Sequence, residues 1–328
     1  MKAILNHLYE HKTLTKSESQ EILKSIALGK YNESQIASFL TVFIMRGITV
    51  DELEGFRDTM LELCVPADLA EFDAIDLCGT GGDGKDTFNI STLSSFVVAG
   101  AGVKVAKHGN YGVSSVSGSS NVIQYFGGEF TNDIDKLRRK IETANICFLH
   151  APLFHPAMKH VAPVRRAMGV KTFFNMLGPM VNPSFVKKQL VGVFSLELAR
   201  LYGYLYQQTD KRFAILHALD GYDEISLTGA TKIISNDSER LVEPKDLGFS
   251  KLNQQDLAGG KTVEEAATIF ETILKGEGTV SQNAAVLANS AMAIQVSKKQ
   301  LSYEEAKAEA EESLLGGKAL EAFKVFIE

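Results

Sequence analysis

One stretch of the chain, residues 76–119, limits both the fold and the chemistry. A short apolar strand is predicted at 74–78, and it runs into a turn with four glycines among six residues, 79–84. An apolar helix is predicted over 93–101, directly after a polar segment. Glycines let backbone N–H groups approach an anion, and the first turn of a helix leaves its N–H groups without intrahelical partners. The stretch therefore predicts a phosphate-binding loop at the end of a strand.

A second loop extends this prediction. The next predicted strand, 103–107, ends on Lys107, and the loop at 108–119 is rich in glycine and hydroxyl side chains. In a parallel sheet the loops after both strands lie at the same edge. We therefore expect the two strand ends to hold one polyanion between them, with Lys107 as the cation.

Three interpretations of the glycine turn compete. Its spacing fits the dinucleotide pattern G-x-G-x-x-G, but the next strand ends in Lys107 and His108, where an acidic residue should hold a ribose. It also fits most of a Walker A loop, but Asp86 follows Lys85, where a Ser or Thr should meet magnesium. A glycine turn without any ligand is the third interpretation. The similar polar composition of the second loop disfavours it.

Length and composition exclude several classes of function. The 328 residues suggest about two domains. A net charge of -6 gives no general basic surface for nucleic acid, and no apolar run is long enough to cross a membrane. The N-terminal residues are not those of a signal peptide, and the cysteines, Cys64, Cys78 and Cys147, lack metal-ligand spacing. We therefore expect a cytoplasmic protein with reduced cysteines and no nucleic-acid or membrane partner.

The order of predicted elements indicates an α/β fold with a separate helical domain. Residues 1–68 predict helices only, with capping boxes at Thr15–Glu18 and Thr49–Glu52. Strands and helices then alternate over 70–151 and resume from 184 to 328, which indicates a mostly parallel central sheet flanked by helices. The intervening segment, 152–183, lacks this alternation and is predicted to form helices and loops covering the mouth of the sheet.

Two further groups of residues have side chains suited to chemistry. The adjacent carboxylates of Asp223 and Glu224 would repel each other, and a divalent cation shared with a pyrophosphate would relieve this. A solvated acidic turn explains the same pair equally well. Arg165 and Arg166 are neighbours in a predicted helix, so at most one of them faces a site, where an arginine can hold a carboxylate through two hydrogen bonds.

These residues together resemble a known family. The chain is similar, in order and over nearly its whole length, to the anthranilate phosphoribosyltransferases of tryptophan biosynthesis. The matching motifs are GTGGD at 79–83, NIST at 89–92, KHGN at 107–110, HPAM at 155–158, VRR at 164–166, FNMLGP at 174–179 and the pair Asp223–Glu224.

The resemblance implies a reaction and a set of ligands. Phosphoribosyl pyrophosphate (PRPP) would donate its phosphoribosyl group to the anthranilate amine, giving N-(5-phosphoribosyl)-anthranilate and pyrophosphate without a covalent enzyme nucleophile. His108 is a candidate acceptor of the amine proton. Two magnesium ions are expected, with Ser91, Asp223 and Glu224 as ligands. The expected PRPP ligands are Gly79, Gly82, Asp83, Thr87, Asn89, Ile90, Ser91, Thr92, Lys107, Ser115 and Ser119. The expected anthranilate contacts are Gly79, Asn110 and Arg165.

The resemblance also implies an assembly, and it leaves two alternatives. Family members form homodimers through the helical domain, and part of 152–183 is expected to pack on that domain. A pyrimidine-nucleoside phosphorylase would need no arginine for a substrate carboxylate and no metal-bound pyrophosphate. A non-catalytic nucleic-acid-binding member would lose the glycine loop and carry a basic face.

Three positions of the second loop depart from the family pattern. The family carries basic residues where this chain has Tyr111 and Val116, and an aspartate where it has Asn121. Two cations are thus missing from a loop that is expected to close over a polyanion. We therefore expect magnesium and neutral donors to replace them there.

Overall fold

A computed structural model describes residues 1–112 and 116–328 of the chain. The described residues form two compact units, one of Met1–Pro66 with Ala151–Pro183, and one of Ala67–His150 with Ser184–Glu328. Ser115, a predicted PRPP ligand, lies outside the described residues. The predicted fold class, a helical domain and a larger α/β domain with a mostly parallel sheet, is confirmed.

The elements follow the order predicted from the sequence. The helices are α1 (Lys2–Tyr9), α2 (Lys16–Ala27), α3 (Glu33–Arg46), α4 (Val50–Glu62), α5 (Ile90–Gly100), α6 (Ser119–Tyr125), α7 (Ile134–Ala144), α8 (Ala151–Phe154), α9 (Ala162–Met168), α10 (Phe174–Leu177), α11 (Leu196–Gln207), α12 (Val263–Leu274), α13 (Val280–Ser297), α14 (Tyr303–Leu315) and α15 (Lys318–Ile327). The strands are β1 (Ile75–Gly79), β2 (Val105–Gly109), β3 (Ile146–His150), β4 (Lys188–Gly192), β5 (Arg212–Ala218), β6 (Thr231–Ser235) and β7 (Glu239–Val242).

The helical unit is built from α1 to α4 together with α8 to α10. Capping boxes begin α2 at Thr15 and α4 at Thr49, as predicted, because each threonine and the glutamate three residues later satisfy each other's backbone N–H groups. Aromatic rings fill the interior, where Phe56 stacks on Phe173 at 4.4 Å and Phe39 meets both edge-on. The apolar face of α3, with Ile36, Phe39, Leu40 and Phe43, is therefore core.

The larger unit is a seven-stranded sheet in the order β3-β2-β1-β4-β5-β6-β7. The first five strands in this order are parallel, and β6 and β7 are antiparallel to their neighbours. The chain moves from β1 to β2 on one side and later returns to β4 on the other side of β1. This is a topological switch point, and in open parallel sheets ligands bind beyond the carboxyl ends of the strands at such a point.

Helices α5 and α13 cover the sheet near this switch point. Both are apolar, and Ser290 and Asn289 of α13 are buried but hydrogen-bonded. Asn289 bonds the backbone N–H and carbonyl of Ile225, at 3.0 and 2.9 Å, and so fixes the segment that follows Asp223 and Glu224. The position of the two carboxylates is thus set by the core.

Two local sequence patterns differ from the structure: Thr262 with Glu265 three residues later predicts a capping box, and residues 225–242 predict short strands with turns. The side chain of Thr262 caps α12 by accepting the Glu265 N–H, but the Glu265 carboxylate accepts from the Lys261 N–H, so no capping box forms. The segment 225–242 forms strands only from β6 onward. It is irregular up to β6 because residues 225–228 pack against α13 and make side-chain turns.

Candidate functional site

The glycine turn after β1 adopts the backbone geometry that its composition predicts. Gly81, Gly82 and Gly84 all have positive φ angles, of 62°, 71° and 73°, which side-chain-bearing residues rarely adopt. The end of the turn is tied to a distant segment, because Phe88 N–H donates to Leu257 O at 3.0 Å. The turn is therefore a shaped loop that leads directly into α5.

Two carboxylates accept hydrogen bonds from backbone N–H groups of this loop and of α5. The Gly81 N–H donates to Asp223 Oδ2 at 2.7 Å, and the Ser91 N–H, in the first turn of α5, donates to Glu224 Oε1 at 3.1 Å. Gly79 and Ser91 line a small pocket with the same two carboxylates. Oxyanions thus bind where the sequence predicts phosphate, and here they are the protein's own carboxylates.

The Asp223–Glu224 pair does not lie in a solvated turn. Asp223 is only 8% exposed and packs over the carboxyl ends of β1 and β4. A Cβ on Gly79 would clash with Asp223 Oδ2, and a Cβ on Gly192 would clash with the Asp223 carbonyl. Both strands therefore end on glycine because the acidic segment lies directly against them.

The electrostatics of the pair fit a divalent cation. Burial, followed by the charge of Asp83, raises the pKa of Asp223 to about 7. Burial and then the charge of Asp223 raise the pKa of Glu224 well above its usual value, and Glu224 Oε2 is buried without a hydrogen-bond partner among the described residues. A bound cation would stabilise both ionised carboxylates and complete the coordination of the Oε2 atom.

The protein side of such a metal site is sparse. Within residues 1–112 and 116–328, no group of three or more His, Cys, Asp or Glu side chains is arranged to hold a metal. Magnesium does not need so many protein ligands. It is commonly bound by one or two carboxylates, with substrate phosphates and water in the remaining positions. The donors present, two carboxylates and the nearby Ser91 hydroxyl, therefore fit magnesium bound together with a phosphorylated ligand.

Lys107 differs from the prediction that it is an accessible cation for phosphate. Its side chain is 1% exposed, and Nζ donates to the Leu77 carbonyl at 2.6 Å. Burial lowers its pKa, while the nearby carboxylates of Asp76 and Glu224 oppose that shift. Lys107 therefore lies beneath the loop, where its charge also favours the ionised form of Glu224.

Side-chain hydrogen bonds join the two loops at the sheet edge. Asn89 Nδ2 donates to the Ser117 carbonyl at 3.1 Å, which links the glycine loop to the second loop. Asn121 Oδ1 accepts from the N–H groups of both Gly112 and Gly118, each at 3.0 Å. The two ends of the loop that flank residues 113–115 are therefore fixed by one amide side chain.

Two further hydroxyls in these loops are suited to a ligand. Ser117 is one of the neutral donors expected in the second loop, and Thr80 was missed by the sequence analysis. Thr80 Oγ1 and Ser117 Oγ are buried and have no hydrogen-bond partner among the described residues. A buried hydroxyl usually bonds to something, so these two atoms are suited to a ligand's oxygens. For Thr80, composition alone, a hydroxyl inside the glycine turn, was the signal that could have identified it.

The side chain of Tyr111 packs against protein. Its hydroxyl donates to Gln124 Oε1 at 3.2 Å, and its ring meets the ring of His150 edge-on at 4.9 Å. The exposed Asn110 beside it accepts the Tyr111 N–H through Oδ1 at 2.8 Å. Position 111 is therefore directed at α6 and at the end of β3.

The remaining predicted PRPP ligands fall into two groups. Ile90 and Thr92 are buried in the first turn of α5, so Ile90 offers only its backbone. Ser119 Oγ donates to the Asn110 carbonyl at 3.2 Å, and the backbone of Thr87 forms a bridge with Ala258. Each of these residues lies in or beside one of the two loops.

A buried polar group beneath the loops was missed by the sequence analysis. Asp76 Oδ1 accepts the His108 N–H at 3.0 Å, and Asp76 Oδ2 accepts from Gln189 Nε2 at 3.1 Å. Gln189 Oε1 in turn accepts from the Tyr206 hydroxyl at 2.6 Å. An acidic residue inside an apolar strand was the available signal. The network fixes His108, the candidate proton acceptor, at 6% exposure.

The helical unit distinguishes the two neighbouring arginines. Arg165 is partly buried, its Nη2 donates to Asn175 Oδ1 at 3.0 Å, and its guanidinium lies 5.5 Å from the centre of the Phe174 ring. Burial lowers its pKa, and Arg165 Nε has no hydrogen-bond partner among the described residues. Arg166 is exposed. Of the two arginines, Arg165 therefore has the guanidinium that is held in position, and its Nε–H can still donate a hydrogen bond to a ligand.

Two family descriptions match the chain. Residues 2–64 match "Glycosyl transferase family, helical bundle domain", and residues 71–320 match "Glycosyl transferase family, a/b domain".

Of the described helices, none has the length and apolar character needed to span a membrane.

Individual relatives agree with these matches. The chain is 63% identical to an anthranilate phosphoribosyltransferase of Christiangramia forsetii over 99% of this chain and 98% of the relative. The solved enzyme of that name from Thermus thermophilus superposes with a TM-score of 0.91 at 31% identity, covering 98% of each chain. Two Saccharomyces cerevisiae structures, in complex with PRPP and Mg and with 4-fluoroanthranilate, give TM-scores of 0.90 and 0.87 at 28% and 27% identity, each over 98% of this chain and 95% of the other.

Proposed function

The chain belongs to the anthranilate phosphoribosyltransferases of the glycosyl transferase family, and we propose that the described loops serve that reaction. The reaction transfers the phosphoribosyl group of PRPP to the amine of anthranilate, with pyrophosphate as the second product, in tryptophan biosynthesis. The structural observation that carries the proposal is the pair of anion-binding N–H groups, of Gly81 and Ser91, at the switch point of the sheet. Those groups suit a phosphate as well as they suit a carboxylate.

PRPP binds across the two loops in this proposal. Its phosphate oxygens take over the Gly81 and Ser91 N–H groups from the two carboxylates. The glycines leave room for the ligand to approach the backbone, and the polar side chains of both loops surround it. The residues proposed to contact PRPP are Gly79, Gly82, Asp83, Thr87, Asn89, Ile90, Ser91, Thr92, Ser115 and Ser119. The buried Lys107 is proposed to act on the ligand only through its charge, from beneath the loop.

Magnesium is the proposed cofactor, with two ions held by Ser91, Asp223 and Glu224 together with the pyrophosphate. The raised pKa values of both acids and the unpartnered Glu224 Oε2 support this set. Magnesium, when bound, neutralises charge on the departing pyrophosphate. The two carboxylates and the Ser91 hydroxyl would hold the magnesium ions near the carboxyl end of β1.

The chain's own residues orient the acceptor. Arg165, fixed by Asn175 and Phe174, pairs with the carboxylate of anthranilate, and Asn110 and Gly79 contact the amine side of the ring. The amine nitrogen attacks the anomeric carbon, a C–N bond forms as the C–O bond to pyrophosphate breaks, and the configuration inverts. The amine proton leaves to a base, for which His108 is the candidate. No covalent enzyme intermediate forms, so the protein acts mainly by positioning and charge stabilisation.

A fluorescence assay of anthranilate consumption tests the activity. We expect loss of the anthranilate signal only when PRPP and magnesium are both present, and we expect EDTA in excess of magnesium to stop it. Turnover of thymidine or uridine with inorganic phosphate, without any turnover of anthranilate, would favour the nucleoside phosphorylase alternative instead.

The same assay tests the proposed metal ligands. The double variant Asp223→Asn with Glu224→Gln keeps the shape of both side chains and removes their charge. The magnesium concentration giving half-maximal rate should then rise strongly while the variant stays folded. An unchanged magnesium response would show that the two carboxylates do not hold the metal.

We further propose a cytoplasmic homodimer joined through the helical unit. Exposed apolar side chains at the end of α3, Ile44 and Met45, support an interface on that unit. All three cysteines are free, which agrees with a reducing compartment.

A further inference from the structure

We propose that Lys85 is a further PRPP-binding residue, whose ammonium group contacts a phosphate of the bound substrate. The inference deepens the proposed function and depends on it. It concerns a residue of the glycine loop that none of the expected ligand sets includes.

The charges of the two loops lead to this residue. Residues 80–89 and 108–119 contain one lysine and no arginine, so Lys85 is their only permanent side-chain cation. The nearest alternative, Lys107, is buried and its Nζ is engaged with the Leu77 carbonyl. Around them lie the carboxylates of Asp83 and Asp223, which alone would repel a polyanion. A cation that can reach the ligand would offset this repulsion in addition to magnesium.

The position of Lys85 places its charge beside the metal-binding segment. Its Nζ lies 4.7 Å from the centre of the Tyr222 ring, and Tyr222 directly precedes Asp223. The ring is buried, at 2% exposure. Gly221 lies alongside with a φ of 101°, and a Cβ there would approach Lys85 Cε to 3.3 Å. The lysine stem thus runs along the chain that leads to the carboxylates.

The ammonium is held weakly in this position. Over the part of the chain that the structure describes, Lys85 forms no ion pair, although its own backbone N–H donates to Asp83 Oδ1 at 3.1 Å. Contact with an aromatic face is a weaker attraction than a charge-assisted hydrogen bond to phosphate. Lys85 can therefore leave the ring for a ligand phosphate without breaking a salt bridge.

The rival interpretation is that Lys85 only fastens the glycine loop onto Tyr222. Both interpretations predict weaker PRPP binding when the lysine is shortened, because a loosened loop also binds less well. They differ in the salt dependence, since only a direct charge–charge contact is screened by added salt.

The experiment measures the equilibrium dissociation constant of PRPP at saturating magnesium, without anthranilate, across a sodium chloride series. Lys85→Met removes the charge but keeps a long apolar stem, and Lys85→Arg keeps the charge. Lys299→Met is the matched control. Lys299 is exposed and lies near Asp237, in the β6–β7 turn at the opposite edge of the sheet from the site.

We expect Lys85→Met to weaken PRPP binding about tenfold at low salt and to make its salt dependence shallower, while Lys85→Arg and Lys299→Met stay close to the unmodified chain. Weaker binding with an unchanged salt dependence would assign Lys85 the structural role and overturn the proposal. Equal affinities for Lys85→Met and Lys299→Met would also overturn it. If the unmodified chain binds PRPP and consumes anthranilate in either case, the proposed function stands independently of this result.

Discussion

At the scale of single residues, Arg165 and Arg166 offer a matched comparison. Both are guanidinium groups in α9, but only Arg165 is held by Asn175 and covered by the Phe174 ring. Its partly buried charge has no carboxylate partner among the described residues, and a substrate carboxylate would supply one. A hydrogen-bonded carboxylate partner of this kind is worth ~1.5–3 kcal/mol.

We therefore predict that Arg165→Ala raises the KM for anthranilate by about 10- to 100-fold, with a much smaller change in the KM for PRPP. Arg166→Ala should change both values less than about twofold because Arg166 is exposed. Steady-state kinetics with each substrate varied in turn gives both numbers. The reverse ranking of the two variants would mean that the exposed arginine holds the acceptor.

Individual residues also show where sequence reasoning stops. The glycine turn and the helix after it followed from residue type and spacing, which are local properties, although α5 begins at Ile90 and not at the predicted residue 93. The choice of Arg165 over Arg166 came from the resemblance. The burial of Asp223 and of Lys107 followed from neither, because it depends on strands that pack together from distant parts of the chain. Tyr111 was expected only to lack a charge, and its contact with Gln124 depends on where α6 begins.

At the scale of secondary structure elements, His150 joins three of them. It ends β3, its Nδ1 lies 2.9 Å from Ser120 Oγ at the start of α6, and its ring stacks on Phe130 at 4.3 Å. Tyr111 of the second loop meets the same ring edge-on. Burial lowers the pKa of His150 to about 4 from the usual 6.5, so the folded protein holds a neutral imidazole here.

This arrangement predicts a pH dependence of stability. Between pH 6.5 and 4 the unfolded chain binds a proton on His150 that the folded chain does not bind, so stability is lost as the pH falls through this window. His150→Gln cannot gain that proton. We expect the unmodified chain to lose about 2 kcal/mol more free energy of unfolding than the variant between pH 7 and pH 5. The measurement is urea unfolding of both proteins at the two pH values. Equal changes in their free energy of unfolding would contradict a neutral, buried His150.

The elements themselves were largely predictable. Capping boxes predicted where α2 and α4 begin, and alternation of strands with helices predicted the parallel part of the sheet. The irregular path of 225–230 was not predictable. Its conformation is fixed by Asn289 of α13, 64 residues later in the sequence, and no local pattern encodes that contact.

At the scale of the whole molecule, the chain forms two compact units, and each carries its own set of candidate ligand residues. The α/β unit carries both phosphate loops and the acidic pair, and the helical unit carries Arg165 on a short helix inserted late in its sequence. The insertion of Ala151–Pro183 explains why alternation stops after β3 and resumes at β4. The break in pattern was visible in the sequence. Its cause, a return of the chain to the first unit, came only from the resemblance.

The proposed homodimer is a property of the whole molecule, and the exposed end of α3 gives it a test. Ile44 and Met45 are 44% and 81% exposed, and burying such side chains against a second copy would stabilise the pair by roughly 25 cal/mol for each Å² of apolar surface removed from water. We predict that the unmodified chain sediments at twice the 35.8 kDa of one copy. The double variant Ile44→Glu with Met45→Glu should shift toward a single copy, because two charges at the interface would lose their hydration. Val280→Glu, at a residue 87% exposed in the α/β unit, is the matched control and should leave the mass unchanged. A double variant that still sediments as a pair would place the interface on another surface, and an unmodified chain of single mass would exclude the homodimer.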